Sequence, residues 1–322
     1  MPFLGRKNVS ENDALMWDGD EYRPSGRVAG LDGVGLPSSL TGVPSRRLCG
    51  SAECANGWTA PWRNRRRPMF EGEWGCSGRC VLAMVRSAVQ RERGDGMELA
   101  APHRHRVPLG LLMLAQGWIT HPQLRKALDA QRENGTGRIG DWLQSECGVA
   151  PEQVARGLSM QWGCPVLTTE GFSPEAMALV MPRIFVERFG LLPLRLAGAR
   201  LLYLGFEERL DASAAFAMEK MTELKVESGL LAGAQFQAAR DRLLECQGVE
   251  LKVESATDKD ALAARMTAIL EQKQPVGSRL VRIHQYYWLR LWLESGAAGR
   301  IGSLPVTGED VVDHVFTIGA QA

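Results

Sequence analysis

The sequence has no long apolar segment, almost no net charge and no P-loop. No apolar run in the 322 residues approaches the ~20 that cross a bilayer, so membrane insertion is not expected. The 38 basic side chains nearly balance the 37 acidic ones, which excludes a wholly basic nucleic-acid coat and an acidic disordered tail. No G-x-x-x-x-G-K-S/T segment occurs, so the machinery for ATP hydrolysis of the P-loop type is missing.

The first residues also lack the apolar core and small-residue cleavage site of a signal peptide, and we expect a cytoplasmic protein. In that compartment the seven cysteines should be reduced thiols or metal ligands. Four of them fall within residues 49–80, whereas Cys147, Cys164 and Cys246 are scattered. This uneven distribution is the first indication of separate modules.

Composition and periodicity divide the chain into six segments. Apolar residues recur at helical spacing in the middle of the chain, and short apolar strands alternate with helices after it. We predict an α+β fold, in which a helical tandem-repeat subdomain is followed by a small α/β layer and preceded by a zinc-finger module. The segments are a disordered arm (1–45), a four-cysteine zinc-finger-like module (46–93), a linker (94–106), the helical tandem repeat (107–170), an α/β subdomain (171–246) and a C-terminal α/β extension (247–322).

Local signals predict several element boundaries. Thr120 and Gln123 have the spacing of a capping box, and Gly135 is a predicted helix C-cap. One helix is expected over residues 174–190. The aromatic segment 284–294 is interpreted as core packing, with an exposed patch for a partner as the alternative.

Three glycines of the repeat spell G-x-G-x-x-G, at Gly135, Gly137 and Gly140. A dinucleotide-binding fingerprint must follow a strand and open a helix. Here a predicted helix precedes the glycines, so we reject a Rossmann-type site.

Two cysteine pairs form a predicted metal site. Cys49 and Cys54 make the first pair, and Cys76 and Cys80 make the second. A tetrahedral zinc ion needs four soft ligands brought together from two tight turns, and we predict that these thiolates bind one structural zinc. A redox pair and four unrelated thiols are the alternatives. Residues 48–90 resemble treble-clef zinc fingers, in which a strand ending in an aromatic-Cys-Ser sequence leads into a helix.

Basic and aromatic residues surround the predicted zinc site. Seven arginines against three glutamates make residues 46–80 positive, and Trp58 and Trp62 interleave with the arginines. Such a surface could bind nucleic acid, solvate a small finger or dock a partner. The arginines are Arg46, Arg47, Arg63, Arg65, Arg66, Arg67 and Arg79.

The helical segment contains an internal repeat with an offset of 30 residues. Each copy predicts a short helix, a turn and a longer helix, and tandem copies bury their apolar faces against each other. Glycine and glutamine are not typical core residues, so their coincidence favours a true repeat over two unrelated helix pairs. The coinciding polar and glycine positions are Gly110 with Gly140, Gln123 with Gln153, and Gln131 with Gln161.

The two copies resemble the N-terminal domain of type II secretion and type IV pilus assembly ATPases, of the MshE type, over residues 107–245. Pro108 departs from the family pattern, which has Arg there, and Cys147 stands where the family has Gly. The matching residues are Leu109, Gly110, Met113, Gly117, Leu124, Leu128 and Gln131 in the first copy, and Arg138, Ile139, Gly140, Leu143, Val154, Leu158 and Gln161 in the second.

The resemblance implies either cyclic di-GMP binding or protein docking, because complete doubled motifs of the family bind that nucleotide. The planar guanidinium group of an arginine can stack on guanine. Pro108 removes one such contact, which costs about 1.5–3 kcal/mol of binding free energy. We expect a non-enzymatic regulatory or adaptor protein that docks a secretion, pilus or related assembly component. A cyclic di-GMP receptor and a nucleic-acid-binding regulator are the alternatives. The candidate nucleotide site comprises Leu109, Gly110, Gly117, Leu124, Leu128, Gln131, Arg138, Gly140, Leu143, Leu158 and Gln161.

Overall fold

The computed structural model describes residues 49–54, 69–98, 107–198, 200–207, 209–293, 305 and 307–319. All of them belong to one compact unit, Arg46–Ala322. The predicted arm and most of the arginine-rich segment lie outside the described residues. Within the described ranges, no helix combines the length and apolar character needed to cross a membrane.

The described chain begins with a hairpin, continues through a run of helices and then mixes strands with helices, which is consistent with an α+β fold. The helices are α1 (Gly78–Glu98), α2 (Leu109–Ala115), α3 (His121–Asn134), α4 (Ile139–Cys147), α5 (Pro151–Trp162), α6 (Pro174–Met177), α7 (Arg183–Phe189), α8 (Ala212–Thr222), α9 (Gly233–Glu245) and α10 (Lys259–Lys273). The strands are β1 (Met69–Phe70), β2 (Glu73–Trp74), β3 (Leu191–Ala197), β4 (Leu201–Phe206), β5 (Lys225–Leu230), β6 (Glu250–Ala256), β7 (Gly277–Ile283), β8 (Tyr286–Trp292) and β9 (Val311–Ile318).

Helices α2 to α5 form the repeat, and local capping sets their ends. The Thr120 amide donates to Oε1 of Gln123 at 2.9 Å, and the Gln123 amide donates to the Thr120 hydroxyl at 3.5 Å. Gly135 ends α3 in the left-handed region, with a φ of 66°. The capping box and the C-cap are therefore confirmed. Since α3 rather than a strand precedes the glycine triplet, the rejection of a dinucleotide fingerprint is also confirmed.

A three-stranded sheet follows the repeat, with β3 antiparallel to β4 and β4 parallel to β5. The single helix predicted over residues 174–190 is wrong, because α6 ends at Met177 and α7 begins at Arg183. Pro182 is the residue that precedes α7. A proline lacks the amide donor and pushes the residue before it out of helical geometry, which explains the break.

The last strands form a four-stranded sheet of order β6-β9-β8-β7, whose two faces are both buried. Trp288 points to one face and packs edge-to-face on Phe185 of α7, with 5.4 Å between ring centroids. Leu289 points to the opposite face, where it shares a core with Met266 of α10. Burial on both faces explains the nearly continuous apolar run in β8. The interpretation of the aromatic segment as core packing is confirmed, since Trp288 is 0% exposed.

One of these two cores joins the cysteine-containing segment to the end of the chain. Val81 and Val85 of α1 are buried in the same cluster as Leu262 of α10, Leu280 of β7 and Phe316 of β9. Segments 46–93 and 247–322 therefore contribute to one hydrophobic core. Helix α1 also continues to Glu98, five residues past the end of the predicted zinc-finger-like module at residue 93.

A buried ion pair crosses the other face of the sheet. Arg290 donates from Nε and Nη2 to the two carboxylate oxygens of Asp313 at 2.8 and 2.7 Å, and the side chains are 2% and 1% exposed. Trp288 donates to the same carboxylate at 2.8 Å. Arg290 also donates from Nη1 to the Val180 carbonyl at 3.1 Å, which ties the sheet to the α6–α7 loop.

We predict that Arg290→Met lowers the free energy of unfolding by about 3–5 kcal/mol, because Asp313 would stay buried without its countercharge. Chemical denaturation followed by circular dichroism measures this loss. The double variant Arg290→Met, Asp313→Asn removes both charges and should lose less than the single variant. An equal or larger loss in the double variant would contradict the role given to the ion pair.

Candidate functional site

The four predicted metal-ligating cysteines lie together in front of α1. Their Sγ atoms all fall within 4.8 Å of one another, and each residue is half-buried. Cys54 to Cys76 and Cys76 to Cys80 are both 3.5 Å apart, sulfur to sulfur. These separations are too long for a disulfide, whose S–S bond measures about 2.05 Å.

The backbone around the cysteines is shaped to bring them together. Glu71 and Gly72 both adopt positive φ, of 49° and 81°, which gives the tight turn between β1 and β2. The Gly50 amide donates to the Trp74 carbonyl at 2.9 Å, so the first cysteine pair lies beside the end of β2. The Cys80 amide donates to the Ser77 hydroxyl at 3.3 Å, which fixes the start of the helix.

The sulfur geometry fits one tetrahedral metal ion. Metal–sulfur bonds of about 2.3 Å place tetrahedral ligands roughly 3.8 Å apart, close to the observed separations. The Cys76 amide lies 3.3 Å from the Cys49 sulfur and would donate to a metal-bound thiolate there. Four protein ligands would leave no open coordination position, which is typical of a structural site rather than a catalytic one.

The thiols of the cluster differ in how readily they ionise. Burial, reinforced by the neighbouring thiols, raises the pKa of Cys76 to about 12. The hydrogen bond with Ser77 lowers the pKa of Cys80 to about 7. Several thiolates held this close together repel one another. A divalent cation between them offsets that repulsion and stabilises the ionised thiols.

The repeat has approximate two-fold symmetry, in which residues of one copy contact the other copy in an equivalent way. A Cβ placed on Gly110 would meet Leu124 at 2.5 Å and Ile139 at 3.8 Å. A Cβ on Gly140 would meet Val154 and Leu109, the symmetry-equivalent side chains, at 3.0 and 3.6 Å. Both glycines are buried, so they permit close helix packing within the core.

The two motif glutamines also have equivalent roles. Gln131, near the end of α3, donates to the Gly137 carbonyl at 2.9 Å in front of α4. Gln161, near the end of α5, donates to the Val107 carbonyl at 2.8 Å in front of α2. Each glutamine thus connects the end of one copy to the start of the other, and it needs no ligand to explain its position.

The structure divides the candidate nucleotide-binding residues into two groups. Five are buried among the repeat helices, and any ligand would meet the other six. Their assignment to a ligand site stays a prediction. The buried residues are Leu109, Gly110, Leu124, Gly140 and Leu143; the half-buried ones are Leu128, Gln131, Leu158 and Gln161; the exposed ones are Gly117 and Arg138.

One surface feature of the repeat was missed by the sequence interpretation. Val107, Leu111 and Met160 are 56%, 53% and 50% exposed, and we call them the α2–α5 face. Aligning the two copies gives the signal that could have revealed it, because Leu111 corresponds to Asp141. The apolar surface therefore lies where α2 of the first copy meets α5 of the second, and the equivalent positions beside α3 and α4 do not repeat it.

Sequence comparison links the chain to a pilus assembly ATPase. No family model matches the chain. It is 28% identical over 149 residues to the type IV pilus assembly ATPase PilB of Myxococcus xanthus (strain DK1622). The predicted resemblance is confirmed. The match covers 45% of this chain and 25% of PilB, so the chain spans about a quarter of the length of this relative.

Two solved structures show similarity of limited extent. A structure of MshE with cdg has 26% sequence identity and a TM-score of 0.35, and the match covers 43% of this chain and 99% of that chain. A structure of the N-terminal domain of XpsE has 17% identity and a TM-score of 0.31, over 43% of this chain and 98% of that chain.

Metal analysis should return about one metal ion per chain, and Cys76→Ser should abolish it. We expect this variant to lose several kcal/mol of stability, because the ligands hold the start of α1 on the shared core. Thermal unfolding measures the loss. Cys246→Ser is the control, since Cys246 lies outside the cluster and its sulfur donates to the Arg242 carbonyl, a bond that a hydroxyl keeps. A metal-free wild-type chain with unchanged melting behaviour would remove the site.

Proposed function

We propose that this chain is a non-catalytic, cytoplasmic regulatory or adaptor protein, related to the N-terminal domain of type II secretion ATPases. It docks a protein component of a secretion, pilus or related assembly system. The similarity to PilB supports the relation to such systems. The α2–α5 face is the observation that supports docking.

The α2–α5 face comprises three exposed apolar side chains, one just before α2, one on α2 and one on α5. The Gln161 side chain donates to the Val107 carbonyl at 2.8 Å, and Met160 is the adjacent residue of α5. Leu111 lies one turn further along, on α2. We propose that these side chains form one interaction surface, because exposed apolar patches mark protein interaction sites.

Symmetry indicates that folding does not require this apolar surface. At the offset of 30 residues, the equivalents of Val107, Leu111 and Met160 in the other copy of each are Gly137, Asp141 and Ala130. The α2–α5 and α3–α4 contacts use the same glycine and glutamine positions, although the exposed apolar residues lie beside the α2–α5 contact. The difference therefore favours a role in binding.

Leu111→Asp, alone or combined with Met160→Ser, should reduce partner association at least tenfold without lowering the melting temperature. Association would bury the new carboxylate against an apolar surface, and the loss of its hydration opposes binding. Crosslinking in the native cells, followed by mass spectrometry, measures which secretion or pilus components are captured. The control is Asp141→Asn with Ala130→Ser, at the symmetry-equivalent positions. Equal capture by the variant and the control would contradict the proposed docking face.

A cyclic di-GMP receptor is the second candidate, because Arg138 is exposed at the start of α4 and the MshE structure contains cdg, cyclic di-GMP. Two features weaken this candidate. Asp141 accepts a hydrogen bond from the Arg138 amide at 3.3 Å and puts a negative charge at this helix start, where a phosphate would bind. The other half-site has Pro108 in place of Arg.

Titration calorimetry with cyclic di-GMP separates the two candidates. The docking proposal expects no heat at roughly tens of micromolar ligand. If the nucleotide binds, Arg138→Ala should weaken it about ten- to a hundredfold through the lost charge-assisted contact. Arg156→Ala, an exposed arginine on α5, is the control. Saturable heat that only Arg138→Ala removes would make the chain a receptor.

The metal of the cysteine cluster is proposed to be structural zinc. Four thiolates prefer a soft, tetrahedral ion without redox chemistry, and zinc meets these requirements. The ion would secure the start of α1 and supply no reacting group. Nucleic-acid binding by the arginine-rich segment stays a prediction, because most of those arginines lie outside the described residues.

A further inference from the structure

The β7 edge of the four-stranded sheet is covered by the cysteine-containing segment. The Glu71 amide donates to the Ser278 carbonyl at 3.1 Å, beside β1. Further along β7, the Leu280 amide donates to the Glu71 carboxylate at 3.3 Å, and the Arg282 amide donates to the Glu92 carboxylate at 3.1 Å. Backbone groups that would otherwise attract another strand are thus occupied.

Both edges of the three-stranded sheet are also protected. Strand β3 contains Pro193, where its register with β4 shifts. Proline and irregular pairing are recognised ways to block an edge. On β5, the Leu230 amide donates to the Pro165 carbonyl at 2.9 Å, and the Leu167 amide donates to the Leu230 carbonyl at 2.7 Å.

Strand β6 differs from these three edges. Among the described residues it pairs with β9 alone, and it has neither a proline nor a register shift. The Gly319 amide donates to the Ala256 carbonyl at 3.0 Å on the β9 side. Because backbone groups alternate along a strand, those of Leu251, Val253 and Ser255 face the open edge. The Val253 side chain is 55% exposed at its centre.

We infer that β6 pairs antiparallel with β6 of a second copy of this chain, with Val253 opposite Val253 at the two-fold axis. Val253 is the midpoint of Glu250–Ala256, so this register uses the whole strand. It joins outward-facing backbone groups of both copies in hydrogen-bonded pairs. It also sets Lys252 of each copy opposite Glu254 of the other, in the close, non-hydrogen-bonded positions.

The charges of β6 select this register over its neighbours. Displacing the second copy by two residues is the smallest shift that keeps outward-facing backbones paired. In one direction it brings Lys252 opposite Lys252, and in the other it brings Glu254 opposite Glu254. Like charges directly opposite each other destabilise a strand pair. Lys252 and Glu254 therefore disfavour the shifted registers, and they are complementary in the register that sets Val253 opposite Val253.

Contacts within the chain leave these charges available. Arg265 of α10 donates to both oxygens of the Glu254 carboxylate, at 2.6 and 3.1 Å, and each oxygen can accept a further donor. Lys252 pairs with Glu250 on its own strand at 3.1 Å, and it is 42% exposed. Both groups stay at the edge where a second copy would meet them.

Sedimentation equilibrium of the full chain tests the pairing. A single strand edge buries little area, so a dissociation constant on the order of micromolar is expected. Lys252→Glu and Glu254→Lys should each weaken the dimer at least tenfold, because either change sets like charges opposite each other. An equimolar mixture of the two variants should regain the dimer, since their edges then carry opposite charges.

A second variant tests the backbone contact. Val253→Pro removes an amide that faces the open edge, so the fold is retained while the dimer is lost. Val253→Thr is the matched control, and it should dimerise as wild type does. A chain that stays monomeric up to roughly 100 µM, a range that covers micromolar affinity, would overturn the proposal. A dimer that Lys252→Glu, Glu254→Lys and Val253→Pro all leave unchanged, or a mixture that fails to associate, would overturn it as well.

Discussion

Burial of both faces of the C-terminal sheet is the constraint on which the rest of the structure depends. Trp288 and Leu289 are adjacent in β8 and lie in different cores, so each face needs its own cover. Helices α1 and α10 cover one face, and the α6–α8 region covers the other. Helix α1 begins at the cysteine cluster and covers one face of this sheet, whose strands come from the C-terminal part of the chain. Metal ligands that fix the start of α1 therefore also fix a helix that the sheet needs.

Features that depend on neighbouring residues could be predicted from the sequence, whereas long-range packing could not. The capping box at Thr120 and the C-cap at Gly135 need only local geometry, and both are present. The break at Pro182 follows from the same kind of rule, and it was missed because the apolar period continues across the proline. The contact between Val85 and the C-terminal strands has no local signal, because apolar periodicity shows that a face is buried but not what covers it.

The repeat shows why a motif alone cannot separate packing from binding. Gly110 is buried against Leu124, so a single pattern of Gly and Leu satisfies helix packing before any ligand is considered. The sequence interpretation excluded these glycines from the core, and their burial corrects that assumption. Positions where the two copies differ are more informative, because shared packing cannot explain them. Pro108 against Arg138, and Leu111 against Asp141, are such positions.

The buried ion pair connects the interior of the sheet to its open edge. Side chains alternate between faces with a period of two, so a one-residue slip of β9 would move Asp313 away from Arg290 and into the α1 core. An uncompensated buried charge makes that slip costly. β6 pairs with β9 along its whole length, so a β9 held in this register gives β6 a fixed neighbour to pair with. A charge pair in one core thereby supports the strand beside which Lys252, Val253 and Glu254 form the open edge of the sheet.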